Sequence, residues 1–360
     1  MANMILTYLQ ENRQRLALAE QGIPRQLTSV MMTPRFRASS HVVYLIMPHD
    51  KPEPVLVAKV PRLAGTAQTV TREVSNLQAV QASRPGGFDT IPRVVAFEQY
   101  ENHQVLVETA LVGRPISPEI VRQDPDRCCE LAVDWLLEVQ QPSFNKVYVE
   151  TNWCDRLVER PLLYLESAMP FNDWETHLMR QTRLLVANLC DADLPMVFEH
   201  GDLSHPNLFL LQDGRVGVVD WELAEPEGLV AYDLFFFLTY VAFARSNAQT
   251  ATDYITAFER AFFGPTAWAK PYVEMYTSRF RLNTDQLTAL FVLCWARYLS
   301  NLLLRLEDNR PTDGRVASST AAWLRSNRYY ALWQYTVNNA EQLVWNGSNR
   351  AKTLKMMTQD

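Results

Sequence analysis

The sequence predicts an α+β fold in two parts, a small antiparallel sheet followed by a larger and mostly helical region. Three observations carry this. The first third holds paired runs rich in valine, isoleucine and leucine, at residues 41–47 with 54–60 and at 93–97 with 104–108, each pair joined by a polar turn. From Arg127 onward the apolar residues recur chiefly at helical spacing. The length of 360 residues, 48% of them hydrophobic, suffices for a sizeable core and roughly two domains.

In chain order, residues 4–19 place Ile5, Tyr8, Leu9, Leu16 and Ala19 at moderate helical spacing before Gly22 and Pro24, predicting an N-terminal helix on the sheet part. The runs 41–47 and 54–60 read as antiparallel strands around His49-Asp50-Lys51-Pro52-Glu53. Lys59 falls near the end of the second, and a lysine inside an apolar strand is costly to bury without a partner. Residues 69–82, with Val70, Val74, Leu77 and Val80 at helical spacing, present Glu73 as that partner. The alternative is an edge-strand lysine whose ammonium reaches solvent.

Two further strands, 93–97 and 104–108, flank Tyr100-Glu101-Asn102-His103. Helices are predicted over 127–140 (Leu131, Val133, Leu136, Leu137) and 174–189 (Leu178, Leu184, Leu185, Leu189). Between them, Asn152-Trp153-Cys154 and Pro170-Phe171-Asn172-Asp173-Trp174 are aromatic loops that either line a site or cap the core. Thr284 and Asp285 cap a helix running through Leu306, and residues 321–344 hold at least one more.

The richest stretch is 197–220. Asp202, Asn207 and Asp220 sit in loops and at strand ends bounded by the apolar runs 195–198, 208–211 and 216–219, and Asp213-Gly214 signals a hairpin turn between the last two. Asn207 and Asp220 then lie at the two ends of one hairpin, on the same edge of the fold. Taken singly, such residues are a turn, a loop amide and a strand cap. Together they offer what phosphoryl transfer needs: a carboxylate to accept a hydroxyl proton, Asp202, and oxygen ligands for magnesium, Asn207 and Asp220. Magnesium keeps several waters, so one amide and one carboxylate suffice.

His200-Gly201-Asp202-Leu203-Ser204-His205-Pro206-Asn207, followed by Val218-Val219-Asp220-Trp221-Glu222, resembles the catalytic and metal motifs of the aminoglycoside phosphotransferase and choline kinase family. The Asp-to-Asn spacing is also that of the protein-kinase catalytic loop, with Gly201 where those enzymes carry arginine. The resemblance covers most of the chain and is strongest over 197–238. It implies a two-lobed protein-kinase-like fold, with a nucleotide-binding lobe over 1–109 and a catalytic, acceptor-binding helical lobe over 110–360. The implied activity is that of a small-molecule kinase, moving the γ-phosphate of ATP (or GTP) with Mg2+ to a hydroxyl of an aminoglycoside-like, choline-like or sugar-like acceptor.

In residue terms the resemblance implies that Lys59, positioned by Glu73, holds the α- and β-phosphates. It makes Glu108, Thr109 and Ala110 the hinge that meets the base, and Asn207 and Asp220 the magnesium ligands. Asp202 orients and deprotonates the acceptor, His200 braces the loop, and Asp233 matches a structural aspartate. Neither a long activation segment nor Ala-Pro-Glu follows Asp220, which points away from a protein kinase. The expected phosphate-covering loop, residues 33–40, contains no glycine, so close cradling by several amides is harder. Arg35 and Arg37 are its charged residues. That loop motivates the alternative of a kinase-like, nucleotide-binding regulatory protein with little or no turnover.

Composition narrows the partners. A net charge of −6 without a dense run of lysine or arginine gives no footprint for nucleic acid or anionic membrane. Five cysteines, Cys128, Cys129, Cys154, Cys190 and Cys294, lack ligand spacing and predict a reduced chain with neither structural zinc nor a disulfide framework. The N-terminus lacks a signal-peptide pattern, residues 234–244 are too few to span a bilayer, and 287–304 are interrupted by Arg297, so a soluble cytoplasmic protein is expected. Glu222, Glu225 and Glu227 suit either a cationic substrate or a solvated acidic loop. Trp295 and Arg297 are either core or acceptor wall.

Overall fold

The computed structural model describes residues 4–33, 41–62, 67–144, 152–306 and 315–346. The apolar runs of the first part become strands β1 (Leu27–Met32), β2 (His41–Pro48), β3 (Leu56–Pro61), β4 (Val94–Tyr100) and β5 (His103–Thr109). They form one sheet in the order β1-β2-β3-β5-β4, antiparallel throughout. The edge strand β1 has no counterpart in the sequence reading. None of its residues is fully buried, and Val30, Met31 and Met32 are exposed, so no alternation of faces marks it.

Two helices cover opposite faces of this sheet. Helix α1 (Met4–Glu11) sets Ile5, Tyr8 and Leu9 into a cluster with Ile46, Leu56, Ala58, Val60, Val105 and Val107. Helix α2 (Ala67–Ala82) sets Val70 and Val74 against Leu106. Helix α1 stops at Glu11, short of the predicted Ala19. Ala17 adopts a left-handed φ of 49°, and the Arg13 guanidinium donates to the Ile23 and Pro24 carbonyls, so Leu16 and Leu18 reach the same core from turns.

The chain divides into two compact units, and the segment His200–Pro226 belongs with Met1–Ile116. The sequence predicts a single boundary after Thr109, whereas the units are discontinuous along the chain. In the first unit, Leu208–Leu211 and Val216–Val218 make the predicted hairpin, and Gly113–Pro115 adds a third strand beside Leu208–Leu211. Gly214 supplies the turn's positive φ of 82°.

The second unit, Ser117–Glu199 with Glu227–Asp360, is mostly helical. Its longest helix, Thr284–Leu306, is apolar and long enough to cross a membrane by length and composition, but 78% of its most apolar window is buried within the fold. It is the core helix: Phe291 and Trp295 pack edge-on at 5.7 Å, and Phe258 stacks on Phe291 at 5.6 Å. The predicted helix over 321–344 is two, Ser318–Ser326 and Arg328–Asn339, broken where the Asn327 side chain caps the second by accepting from the Tyr329 N–H. The loop at Pro170 caps the core, with Phe171 stacked on Trp333 and Asn172 capping Asp173–Val186.

One expectation is overturned in this unit. Cys154 and Cys190 form a disulfide, with Cα atoms 5.3 Å apart, where the sequence predicted none. The odd cysteine count and the 36-residue separation hide the pairing, because it is tertiary packing that brings the two together. Closing a loop of that length removes unfolded-state freedom worth about 3–4 kcal/mol in the chain-entropy account. Reduction, or Cys190→Ser, is accordingly expected to lower the melting temperature by several degrees; equal melting curves with and without reductant would show that the bridge contributes nothing.

Candidate active site

Strand parity decides which side chains meet. Successive strand residues point to opposite faces, so Val105 and Val107 join the α1 cluster while Leu106 joins that of α2. Lys59 is the cross-strand partner of Leu106, and Glu108 that of Val57. Lys59 and Glu108 therefore face α2. Glu73 follows Val70 by one helical turn and points at the same face.

The result is a buried charged cluster. The Lys59 ammonium pairs with Glu73, lies 3.4 Å from Glu108 Oε1, and lies 3.8 Å from Asp220 Oδ1. Burial works against its charge, yet Glu108, Glu73 and Asp220 together hold it protonated well beyond the ordinary lysine value. Burial, set against Lys59, pushes Glu73 up to about 8 and raises Glu108 as well. Glu73 Oε2 and Glu108 Oε2 are both buried without a hydrogen-bond partner among the described residues. One ammonium thus faces three carboxylates.

Glu73 reaches further than Lys59. Its Oε1 also accepts the Trp221 N–H at 3.2 Å, and Asn76, one turn along α2, donates to the Trp221 and Ala224 carbonyls at 2.9 Å each. Trp221 is fully buried, its indole N–H on the Val218 carbonyl at 3.0 Å. Helix α2 is thereby fastened to the segment that carries Asp220. Asn76 went unnoticed in the sequence, although its spacing of three from Glu73 puts both on one helix face.

The catalytic-type loop is built around His200. Its buried ring bonds the Val219 carbonyl through Nε2 at 3.0 Å and accepts the Asp202 N–H at Nδ1, 3.3 Å away. Burial lowers its pKa to about 4, so at neutral pH it is an uncharged brace. Gly201 has φ of 84°, and a Cβ there would stand 2.6 Å from the Leu223 carbonyl oxygen, so glycine is required where protein kinases carry arginine.

Asn207 is fixed by the same loop. Its Nδ2 donates to the Asp202 carbonyl at 3.0 Å and to Asp202 Oδ2 at 3.3 Å, and its own carbonyl accepts the Val219 N–H at 3.0 Å. The amide nitrogen is engaged, which leaves Oδ1 as the atom a metal ion would meet. Asp220, next after Val219, takes a left-handed φ of 69°, a conformation that aspartate tolerates better than most residues. An amide oxygen and a partly exposed carboxylate at adjoining hairpin ends are donors that a hard divalent ion accepts.

The structure thus brings Lys59, Glu73, Glu108 and Asp220 together, and separately ties Asp202 to Asn207. Glu108 takes a different place from the one the hinge expectation gave it, since its side chain, not its backbone, enters the site. The N–H groups of Thr109 and Ala110 are engaged by the Arg93 and Val55 carbonyls at 2.9 and 3.2 Å. The predicted phosphate loop falls at residues 34–40, outside the described residues, with only Thr33 inside them. His205 is exposed, as expected of a loop residue.

In the second unit the remaining candidates are structural. Asp233 is buried and accepts from Gln140, which also bonds the Phe198 carbonyl and Tyr276. Arg297 is buried on Glu199 and Trp295 lies in the core, so neither is an exposed contact. Of the acidic loop, Glu225 lies 3.8 Å from Arg72 in the first unit, and Glu227 lies 3.8 Å from Arg156 in the second.

A lysine–glutamate pair beside a hairpin carrying Asp202, Asn207 and Asp220, on an antiparallel sheet with a mostly helical second unit, is the arrangement of a protein-kinase-like small-molecule phosphotransferase. Residues 36–271 match the profile of the phosphotransferase enzyme family, and the chain belongs to that family. No curated protein sequence matches the chain. Among solved structures it is similar to choline kinase LicA from Streptococcus pneumoniae, at a TM-score of 0.50 and 11% identity over 91% of this chain and 99% of that one. An ethanolamine kinase from Plasmodium vivax shows the same TM-score and identity over 90% and 89%. So does aminoglycoside 2'-phosphotransferase-IIIa in its GDP complex, over 92% and 99%. At such identity the likeness describes the fold.

Proposed function

We propose that this protein transfers the γ-phosphate of ATP or GTP to a hydroxyl of a small molecule, with Asp202 as the general base. The observation that carries this reading is the hydrogen bonding of Asn207: by donating both to the backbone and to the carboxylate of Asp202, it orients the base and presents its own Oδ1 as a ligand. Asp202 accepts the acceptor's proton as the oxygen attacks phosphorus, and His200, uncharged, keeps the loop in register. Lys59, held by Glu73, neutralises the α- and β-phosphates. Asn207 and Asp220 would hold magnesium, which supplies charge neutralisation across the phosphates when bound. Thr109 and Ala110, whose N–H groups bond the Arg93 and Val55 carbonyls, mark the segment that would meet the nucleotide base.

The test is thermal melting of the full chain with ATP or GTP, with and without magnesium, followed by a transfer assay over hydroxylated amines, aminoglycosides and sugars. Ligand binding to the native state alone raises the melting temperature by mass action, by the equivalent of about 2.7 kcal/mol at a hundredfold excess over Kd. A magnesium-dependent shift with acceptor-dependent turnover is expected. A magnesium-dependent shift without turnover on any acceptor would favour the regulatory alternative, and absence of any nucleotide shift would contradict both readings.

A further inference from the structure

We propose that His41, Asp220 and Glu222 form a mixed imidazole–carboxylate site that takes a first-row transition ion in preference to Mg2+. This rests on the reading above only in sharing Asp220. The ligand atoms of the three side chains all lie within 4.8 Å of one another, and His41 Nδ1 is 3.6 Å from Glu222 Oε2. Around an ion with bonds of about 2.1 Å, cis ligands stand about 3 Å apart and trans ligands about 4.2 Å, so side-chain adjustments of about 1 Å or less close the set.

The site is held by rigid parts. His41 is the first residue of β2 and pairs across the sheet with Pro61. Asp220 and Glu222 flank Trp221, which is anchored at its backbone N–H by Glu73 and at its indole by the Val218 carbonyl. His41 and Glu222 are buried, whereas the Asp220 side chain is 34% exposed and offers an entry path.

Charge and chemistry point to a cation, and to this kind of cation. Among the described residues Lys59 is the ammonium that faces Glu73, Glu108 and Asp220, and Glu222 adds a fourth carboxylate at the edge of that cluster. A divalent ion bound at Asp220 and Glu222 would stabilise their ionised forms. Magnesium favours oxygen donors, while imidazole nitrogen suits first-row transition ions, so His41 biases the choice away from magnesium; Mn2+, the weakest binder of that row, serves as the spectroscopic probe. Nothing in the local sequence signals this, because His41 lies far from Asp220 along the chain.

The experiment uses the full chain without nucleotide and Mn2+ as the probe. Loss of the free-ion electron paramagnetic resonance signal on titration measures affinity, and electron spin-echo modulation reports a directly bound imidazole nitrogen. Wild type is expected to show nitrogen coupling, and His41→Ala to lose it with a tenfold or greater drop in Mn2+ affinity, while Mg2+ affinity from competition changes less than twofold. Absence of nitrogen coupling in the wild-type complex overturns the proposal whether or not the variant folds, as does an equal loss of Mn2+ and Mg2+ affinity. Turnover assayed separately with Mg2+ keeps the outcomes apart: coupling without phosphoryl transfer sinks the kinase reading alone, and transfer without coupling sinks only this site.

Discussion

Asp202→Asn is expected to lower kcat by about 10²- to 10⁴-fold, the usual worth of a positioned general base. The nucleotide-induced melting shift should survive. Asparagine keeps the shape of the side chain, and the Asn207 amide retains its bond to the Asp202 backbone carbonyl at 3.0 Å, so the loop has no reason to rearrange. What is removed is the ability to take a proton. Steady-state kinetics on an acceptor found in the transfer screen, run beside nucleotide melting, separate the two effects. Wild-type turnover by this variant would eliminate Asp202 as the base, and loss of nucleotide binding would mean that it also shapes the donor site.

The second large effect concerns stability in the helical unit. Arg297 bonds both oxygens of Glu199, at 2.7 and 2.6 Å, and lies over the Tyr232 ring at 4.8 Å. Glu199 also accepts the Leu229 N–H at 2.9 Å, and both charged side chains are buried. Such a pair need not stabilise relative to an apolar equivalent, but removing one partner strands the other charge. Arg297→Met should therefore cost about 3–5 kcal/mol in urea unfolding. Glu199→Met combined with Arg297→Met should recover part of that loss, the remainder reflecting the Leu229 N–H left unpaired. A single variant within about 1 kcal/mol of wild type would contradict this account.

Local order along the chain explains how much of this was legible beforehand. Asn207 and Asp220 end one hairpin and Asp202 lies in the loop that leads into it, so their spacing nearly fixes their geometry. Lys59 and Glu73 were readable because a charged residue in an apolar strand demands a partner and the next helix offers one. The family resemblance puts Glu108 in the backbone hinge, yet parity with Leu106 on β5 already directs its side chain toward Lys59. The Cys154–Cys190 bridge and the approach of His41 to Glu222 were illegible for a different reason. Each joins segments whose proximity arises only from tertiary packing, and no period or spacing encodes it. Edge strand β1 escaped because it has no buried face.

The fastening of α2 has a consequence for control. In protein kinases the corresponding lysine–glutamate pair is assembled or dismantled by moving a helix, and that movement is a switch. Here Glu73 grips Lys59 and the Trp221 backbone at once, and Asn76 holds two further carbonyls of the same segment. Gly201 also leaves no room for the arginine through which a phosphorylated segment could signal to the loop. Separating this pair by a movement of α2 would therefore also break three hydrogen bonds to the segment that carries Asp220.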